Sequence, residues 1–341
     1  MSRHASKATL KTLAQELELS ITTVSRALKD GPEVRPETIA RVKQAAARLG
    51  YAPDRSAVNL RTGRTGTIAV LFFVPHAYDD VGDGSITAII EGVCRRLEGL
   101  DYTPVVQLLT LEVDGLERVR RIVEGKLADG IILSGTTPQD ERVRWMLERR
   151  FPFVTFGRTE LFTPHPWYDV DNELAAHQAT AHALSEGRRR VALINPPETL
   201  TFARQRLAGY RRALAEAGIA YDPALVVHGG LGAGESREAT RALCAGEDPP
   251  SAIVCATGVV AIGACAGLRD RGLEPGRDVL VVSRDGTRMA SYLEPPLPTC
   301  FASLSDTGWH LADFLMRALD GAPVEDLQML VETTLVPGDR R

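Results

Sequence analysis

Cysteine is scarce and scattered in this chain. Cys94, Cys244, Cys255, Cys265 and Cys300 form no C-x-x-C pair and no Cys/His cluster, and most sit in apolar runs. That excludes a disulfide framework and a zinc site of ordinary spacing, and it reads as reduced core thiols in a cytoplasmic protein. No run approaches the roughly 18 apolar residues of a membrane span, and no apolar leader segment opens the sequence, so neither membrane nor secretion is expected. The histidines fall in no H-E-x-x-H pattern, and Ser134 and Ser303 lack a G-x-S-x-G setting. With no nucleophile–base–acid constellation, catalysis is not the expectation. The Gly-rich run from Asp79 to Gly84 lacks a G-x-G-x-x-G fingerprint, and Asp79 and Asp80 have no second acidic cluster at ligand spacing. No cofactor and no metal are therefore expected. Leucine heptads are missing near the C-terminus, so the expected assembly is a homodimer rather than a coiled-coil tetramer.

What is present divides unevenly. The 341 residues are 44% hydrophobic, enough for two or three domains with ordinary cores. The whole chain carries a net charge of −4, but residues 1–64 hold twelve Lys/Arg against six Asp/Glu, a balance of +6, which leaves −10 on the remainder. A basic head on an acidic body is the footprint of phosphate neutralisation, although a solvated charged face leaves the same balance.

Within the head, TLKTLAQELELSITTVSRAL (9–28) reads as two short helices and a tight turn. Leu10, Leu13, Ala14 and Leu17 recur at helical spacing, Glu18-Leu19 breaks the pattern, and Ser20 is a good N-cap for a second helix through Val24, Ala27 and Leu28. A third helix is expected from Pro36 to Leu49, with Gly50 ending it. In a helix-turn-helix the start of the second helix meets base edges. Ile21, Thr22 and Arg26 suit that position, because Arg pairs with guanine and Ile touches a thymine methyl. Ser20, Thr23 and Tyr51 stand as phosphate-side contacts. A plain helical hairpin has the same periodicity, so the pattern alone leaves both readings open.

From Thr67 onward apolar strands alternate with helices. Strands are expected over 67–73, 104–109, 130–134, 151–156, 191–195, 224–229, 252–257 and 279–284, with helices between them and a break near 157–170. This is the pattern of parallel sheets covered on both faces, in two similar α/β lobes. Ligands in such sheets bind beyond the carboxyl ends of the strands, here in a cleft between the lobes. His76, Arg158, Phe202, Arg206, Thr257 and Asp285 follow strand ends and form the candidate ligand set. Arg206 offers a planar fork of donors and Asp285 a carboxylate for vicinal hydroxyls. Each has a structural alternative: a surface arginine for Arg206, and a turn aspartate before Gly286 for Asp285. Trp167 and Phe202 suit sugar stacking and core filling equally. Asp171 and Asn172 suit helix capping and cross-strand bonding, with ligand contact as the alternative.

The run VSRALKDGPEVRPETIARVKQAAARLGYAPDRSAVNLRTGRTGTIAVL resembles the head, linker and first core strand of the lactose/galactose repressor family of bacterial transcription regulators. The V-S-R-x-L-(N/K) run, the L-G-Y-x-P end of the third helix and L-R-x-G-x-(T/S) carry the resemblance, which extends more loosely along the chain. It implies an all-α helix-turn-helix head over 1–51 and a hinge helix and linker over 52–66. It also implies a two-lobed periplasmic-binding-protein-like α/β body over 67–341, with an N-lobe of about 67–157 plus 290–320 and a C-lobe of about 158–289 plus 321–341. It places Leu10 and Ala57 in the DNA set and makes Leu60 a wedge in the minor groove. It matches Arg206 and Asp285 to effector positions, and the phrases FGR, WYDVDNE and LAGYRRAL resemble a branch associated with plant- or starch-derived glucosides.

The chain departs from the pattern in places. Leu17-Glu18 occupies a turn usually built on A-G, so either Glu18 adopts a strained φ or the turn differs slightly. Arg35 stands where a Ser or Thr cap is usual, Thr257-Gly258 replaces a common N-D pair, and Ser283 replaces a glycine. The implied function is a homodimeric regulator, a repressor of carbohydrate-utilisation genes, that binds pseudo-palindromic operator DNA under control of a sugar. A soluble α/β sugar-binding protein or enzyme with idle N-terminal helices is the alternative that deletion of residues 1–64 separates from it.

Overall fold

Three short helices sharing one apolar seam make the N-terminal unit. The structure is a computed structural model and describes residues 8–51, 63–74, 84–110, 113–229 and 232–338. The chain divides between Thr65 and Gly66 into two compact units. In the first, α1 (Leu10–Leu17), α2 (Ile21–Ala27) and α3 (Pro36–Arg48) bury Leu13, Ala14, Val24, Ala27, Val42, Ala45 and Ala46 against one another. Each buried Leu or Val contributes about 1.5–3 kcal/mol, so a core this small leaves the head dependent on its helix ends. Those ends are well made. Thr9 and Thr12 form a reciprocal capping box on α1, and Ser20 Oγ accepts from the Thr23 N–H at 3.0 Å on α2. At α3 the Arg35 side chain makes no capping bond, and Pro36 at the first position supplies a helical φ while needing no donor. Glu18 adopts φ 56° and donates its N–H to the Ala14 and Gln15 carbonyls. Of the two alternatives for this turn, the strained φ is the one present, at a cost of about 1–2 kcal/mol for a residue with a Cβ.

The second unit contains two six-stranded sheets. β1 (Thr67–Phe73), β2 (Thr103–Leu109), β3 (Gly130–Leu133), β4 (Phe153–Phe156), β5 (Trp167–Val170) and β11 (Gln328–Val331) form the first, in the order β11-β5-β4-β3-β1-β2 and parallel throughout. β6 (Val191–Asn195), β7 (Val226–His228), β8 (Ala252–Cys255), β9 (Leu280–Asp285), β10 (Thr299–Phe301) and β12 (Thr334–Val336) form the second, in the order β12-β10-β9-β8-β6-β7. Among these strands only β12 runs antiparallel, against β10. The helices that cover them are α4 (Gly84–Leu97), α5 (Gly115–Glu124), α6 (Glu141–Glu148), α7 (Asn172–Ser185), α8 (Thr201–Glu216), α9 (Ala233–Leu243), α10 (Gly258–Asp270) and α11 (Leu304–Leu319).

The sheets redraw the expected lobe boundaries. β5 pairs with β4, so the first lobe continues to Val170 rather than ending near 157. β10 belongs to the second sheet, and the chain returns to the first lobe through α11 and β11 before closing with β12. Helix α11 lies directly on α4: a Cβ on Gly92 would sit 1.9 Å from the Ser305 carbonyl oxygen, and one on Gly308 would sit 2.0 Å from that of Ile89. Only glycine permits that backbone approach. Strand order reverses about β1 in the first sheet and about β6 in the second. These switch points are where crevices open at carboxyl ends of parallel strands. The hinge segment with Ala57 and Leu60, and the loop with His76, Asp79 and Asp80, lie outside the described residues.

Candidate functional site

The head presents one polar face built by α2. Val24 and Ala27 point into the core, and this rotation leaves Ile21, Thr22 and Arg26 exposed, with Ile21 at 50% of its full accessibility. Ile21 therefore stands outside the head's apolar seam. Ser20 and Thr23 are joined by their hydroxyls at 2.8 Å as the α2 cap, which fixes both on the same rim. Arg26 Nε meets Glu33 Oε1 at 3.0 Å, with the Arg26 side chain 56% exposed. Nothing in the sequence pattern points to that partner. Leu10 and Tyr51 are half-buried and pack against the head's core, so their side chains serve the fold first.

In the body, a cavity of about 800 Å³, its open mouth included, lies between the two lobes. Phe72 and Phe73 at the end of β1, Ser134 and Gly135 after β3, Phe156 at the end of β4 and Asp169 in β5 line it from the first lobe. Phe202 and Arg206 on α8, Thr257 after β8 and Arg284 in β9 line it from the second. The loop behind Gly135 is braced by a buried ion pair: Arg142 Nη2 donates to Asp140 Oδ2 at 2.6 Å and to the Gly135 carbonyl at 2.7 Å. Burial pushes the Asp140 carboxyl up, but Arg142 and the Thr137 and Val143 amides hold it below its usual range.

A polar chain crosses the floor. Arg158 Nε donates to Asp169 Oδ2 at 2.9 Å, and Asn172 Nδ2 donates to Asp169 Oδ1 at 3.2 Å. Asn172 Oδ1 accepts from Arg206 Nε at 3.1 Å. Burial raises the Asp169 carboxyl above its usual range, and the Arg158 pair offsets part of that. Arg206 is only 7% exposed, its guanidinium stacks over the Phe202 ring at 5.0 Å, and its Nη1 has no partner. Burial first, and the nearby Arg284 charge second, bring its pKa down to about 9 against an opposing pull from Asp169, so it remains cationic at neutral pH. The Thr201 N–H at the first turn of α8 donates to the Thr136 carbonyl at 3.0 Å, a direct tie between the lobes.

Of the expected ligand set, Phe202, Arg206 and Thr257 line this cavity. Thr257 also caps α10, its Oγ1 accepting from Val260 N at 3.2 Å. Arg158 stands one contact back, holding Asp169 from the first lobe rather than from the second as expected. Asp285 is a correction. Its Oδ1 accepts from the Thr287 N–H and hydroxyl at 2.9 and 3.0 Å, and its Oδ2 from Ala290 N at 3.1 Å. It lines no part of the cavity, and the turn role is the one it fills. Its neighbour Arg284 takes the cavity position instead. Asp171 caps α7 through Leu174 N at 2.9 Å, as expected. Trp167 stays in β5 beneath the Arg158 guanidinium. Among the described residues no cluster of metal-ligating side chains occurs, and no helix is long and apolar enough to cross a membrane.

Comparison with known proteins matches both units. The family of bacterial regulatory proteins, lacI family, matches residues 9–54, and a periplasmic binding protein-like domain matches residues 180–339. The HTH-type transcriptional regulator AglR of Rhizobium meliloti (strain 1021) is 34% identical over 318 residues, covering 91% of this chain and 87% of its own. The HTH-type transcriptional regulator CelR of Thermobifida fusca is 30% identical over 317 residues, covering 92% of each. A solved complex of the transcriptional regulator CelR with cellobiose superposes with a TM-score of 0.71 at 28% identity, over 97% of this chain and 98% of that one.

Proposed function

The chain belongs to the lacI family of bacterial regulatory proteins, a family of DNA-binding transcription regulators rather than enzymes, and from that premise we propose how its two sites divide the work. The head binds operator DNA: Ile21, Thr22 and Arg26 meet base edges in the major groove, while Ser20 and Thr23 hold the phosphate rim. The body binds a sugar in the interlobe cavity, with the aromatic rings against its faces and Arg206, Asn172 and Asp169 on its polar edge. CelR is solved with cellobiose; a carbohydrate is the effector class we assign here. The observation that carries the reading is the buried Arg206 guanidinium, whose Nη1 is left without a partner inside a cavity at two switch points. A buried donor left unsatisfied costs about 1–3 kcal/mol, and a ligand oxygen recovers it.

The protein acts as a homodimer on a two-fold symmetric site. The open edge of the first sheet, β2, exposes Val105, Val106 and Leu108, and a second copy covers this apolar strip. Effector binding draws on both lobes, so it favours one lobe angle over another; the Thr136–Thr201 bond is one of the contacts that angle governs. Coupling of that angle to the head changes operator affinity, as linkage requires of two sites biasing one equilibrium. Repression of carbohydrate-utilisation genes in the cytoplasm is the output. The test is selection of genomic fragments by the full-length protein at fixed salt, followed by release with a panel of sugars. A symmetric site with half-sites about one helical turn apart, released by one sugar, supports the reading. Recovery of only salt-sensitive, sequence-indifferent DNA overturns the residue assignments in the head, and release by no sugar overturns the assignment in the cleft.

A further inference from the structure

We propose that the first lobe caps helix α8 across the cleft, which makes Thr201 a positioning residue for the effector. This rests on the reading of the cavity as the sugar site and adds the condition under which its second-lobe wall is in place. Helices α6, α7, α10 and α11 begin on Asp140, Asp171, Thr257 and Ser303, whose own side chains accept from the first turn. Helix α8 begins on Leu200, which has an extended backbone and no side-chain oxygen to offer. The next residue, Thr201, is 4% exposed, and its hydroxyl has no partner. Its N–H instead donates to the Thr136 carbonyl of the first lobe at 3.0 Å. The unpaired donors of a helix start need acceptors, and here one of them finds its acceptor in the other lobe.

That carbonyl is held in place on both sides. Arg142 Nη2 donates to the Gly135 carbonyl at 2.7 Å, and the Thr137 N–H donates to Asp140 Oδ2 at 3.1 Å. Thr136 Oγ1 donates to the Arg158 carbonyl at 3.0 Å, and a Cβ on Gly157 would sit 2.7 Å from that hydroxyl oxygen. The peptides flanking Thr136 are thus fixed to the first lobe, and parting of the lobes takes the acceptor away from α8. The first turn of α8 is also the part that faces the effector. Phe202 follows Thr201 directly, and Arg206, one turn on, stacks over its ring at 5.0 Å. Both line the cavity. A helix end that loses its cap frays from the first turn inward. Open lobes therefore leave Phe202 without a fixed place and Arg206 without the ring it stacks on. Closing the lobes and ordering this turn are one event, and a sugar that touches both lobes is favoured by both.

The test substitutes Thr201 in the full-length protein. Proline suits the first position of a helix and the extended Leu200 before it, but it has no N–H, and its Cδ stands where that hydrogen pointed. Thr201→Pro therefore blocks the contact with the Thr136 carbonyl. Thr201→Ala keeps the N–H and is the reference. Hydrogen exchange is followed at the amides of residues 203–206 without any sugar, and release of a selected operator fragment is then titrated with glucose, maltose, trehalose and cellobiose. In Thr201→Pro those amides are expected to exchange roughly fivefold or more faster than in Thr201→Ala, the scale of one buried hydrogen bond. The sugar that releases the operator is expected to need a comparably higher concentration. Thr136→Val removes the bond to the Arg158 carbonyl and leaves α8 untouched. It is expected to shift both readouts in the same direction, and it decides the outcome if the proline variant does not melt cooperatively. Equal exchange in all variants overturns the cap. Faster exchange with an unmoved release midpoint overturns the positioning role and leaves the sugar reading standing. Release by none of the four sugars overturns the sugar reading and the positioning role with it, while the exchange result still decides the cap.

Discussion

The head and the interlobe cavity each present an arginine to the ligand assigned to it, and the two are held in opposite ways. Arg26 is 56% exposed and rests on Glu33, a pair in high dielectric that is cheap to exchange. Arg206 is 7% exposed, bonded to a neutral amide, and repelled by a second guanidinium. DNA brings its own dense negative charge, so a loosely held surface cation suffices and its worth lies in which base it selects. A small effector brings a few polar atoms, so the cavity must prepare its donors in advance and exclude water from them. On the proposed reading, the same side chain sets specificity in one region and stored affinity in the other.

The sharpest way to break this contrast is Arg206→Met, which keeps length and apolar packing against Phe202 while removing the charge. Effector affinity is expected to fall by roughly 3–6 kcal/mol, the worth of two charge-assisted bonds, measured by calorimetry. Thermal stability is expected to hold or rise, because a desolvated, partly unpartnered cation is lost with it. A large loss of stability with normal effector binding would make Arg206 a structural residue and end the comparison.

A second effect lies in the first lobe, beside β4. His165 is buried, and its Nε2 lies 3.2 Å from Thr155 Oγ1, whose hydroxyl donates to the Gly157 carbonyl at 2.7 Å. Thr155 therefore accepts from His165, which is neutral. Burial holds its pKa down to about 4, against contrary pulls from the Thr163 backbone and Asp140. A folded value below the unfolded one stabilises the fold at pH above about 6.5, and this is lost as pH falls toward 4. The span corresponds to roughly 3 kcal/mol. Urea unfolding of the body at pH 7 and pH 4 measures it, and His165→Gln is expected to flatten the difference. An unchanged pH dependence in the variant would place the acid sensitivity elsewhere.

The two regions also differ in how much of them the sequence makes legible. The head's helices, caps and exposed reading face follow from residues within about thirty positions of one another, because helical periodicity and capping are local rules. The strained Glu18 is visible only through the resemblance, as a departure from the family's usual turn. The cavity draws on β1, β3, β4, β5, α8, β8 and β9, and its chemistry depends on which strand-end side chain turns inward. Arg284 and Asp285 are adjacent in sequence, and only the bonds from Thr287 and Ala290 decide that the aspartate serves the turn and the arginine the cavity. Asp169 escapes sequence reasoning because β5 does. An acid in a four-residue segment carries little periodic signal, and only pairing with β4 and β11 fixes it. The lobe boundaries are displaced for the same reason, since β10, β11 and β12 are three or four residues long and the crossovers are set by tertiary pairing.

Arg26→Ala sharpens the other half of the comparison. It is expected to cost roughly 1–3 kcal/mol at one base pair in each half-site and to relax selectivity there. The measurement is competition between operator variants at fixed salt, with the effector response unaltered. Equal discrimination in variant and parent would remove Arg26 from the base-reading set and leave Ile21 and Thr22.

The smallest expected effect tests the looseness of Arg26 itself. Glu33 holds its Nε at 3.0 Å in the head without DNA, with both side chains about half exposed. An exposed pair of this kind is worth about 0.2–1 kcal/mol, so Arg26 must give up that much to reach a base. Glu33→Gln removes the competing charge and one unit of repulsion toward the phosphates. Operator affinity is expected to rise by roughly two- to fivefold, more at low salt than at high, since both contributions are screened. Titration of a labelled operator at two salt concentrations reads the change. A gain that is equal for operator and random DNA assigns Glu33 to general phosphate repulsion. A gain confined to the operator assigns it to competition for Arg26. Weaker operator binding would mean that Glu33 aims the guanidinium at its base, in which case the head, like the cavity, prepares its arginine in advance.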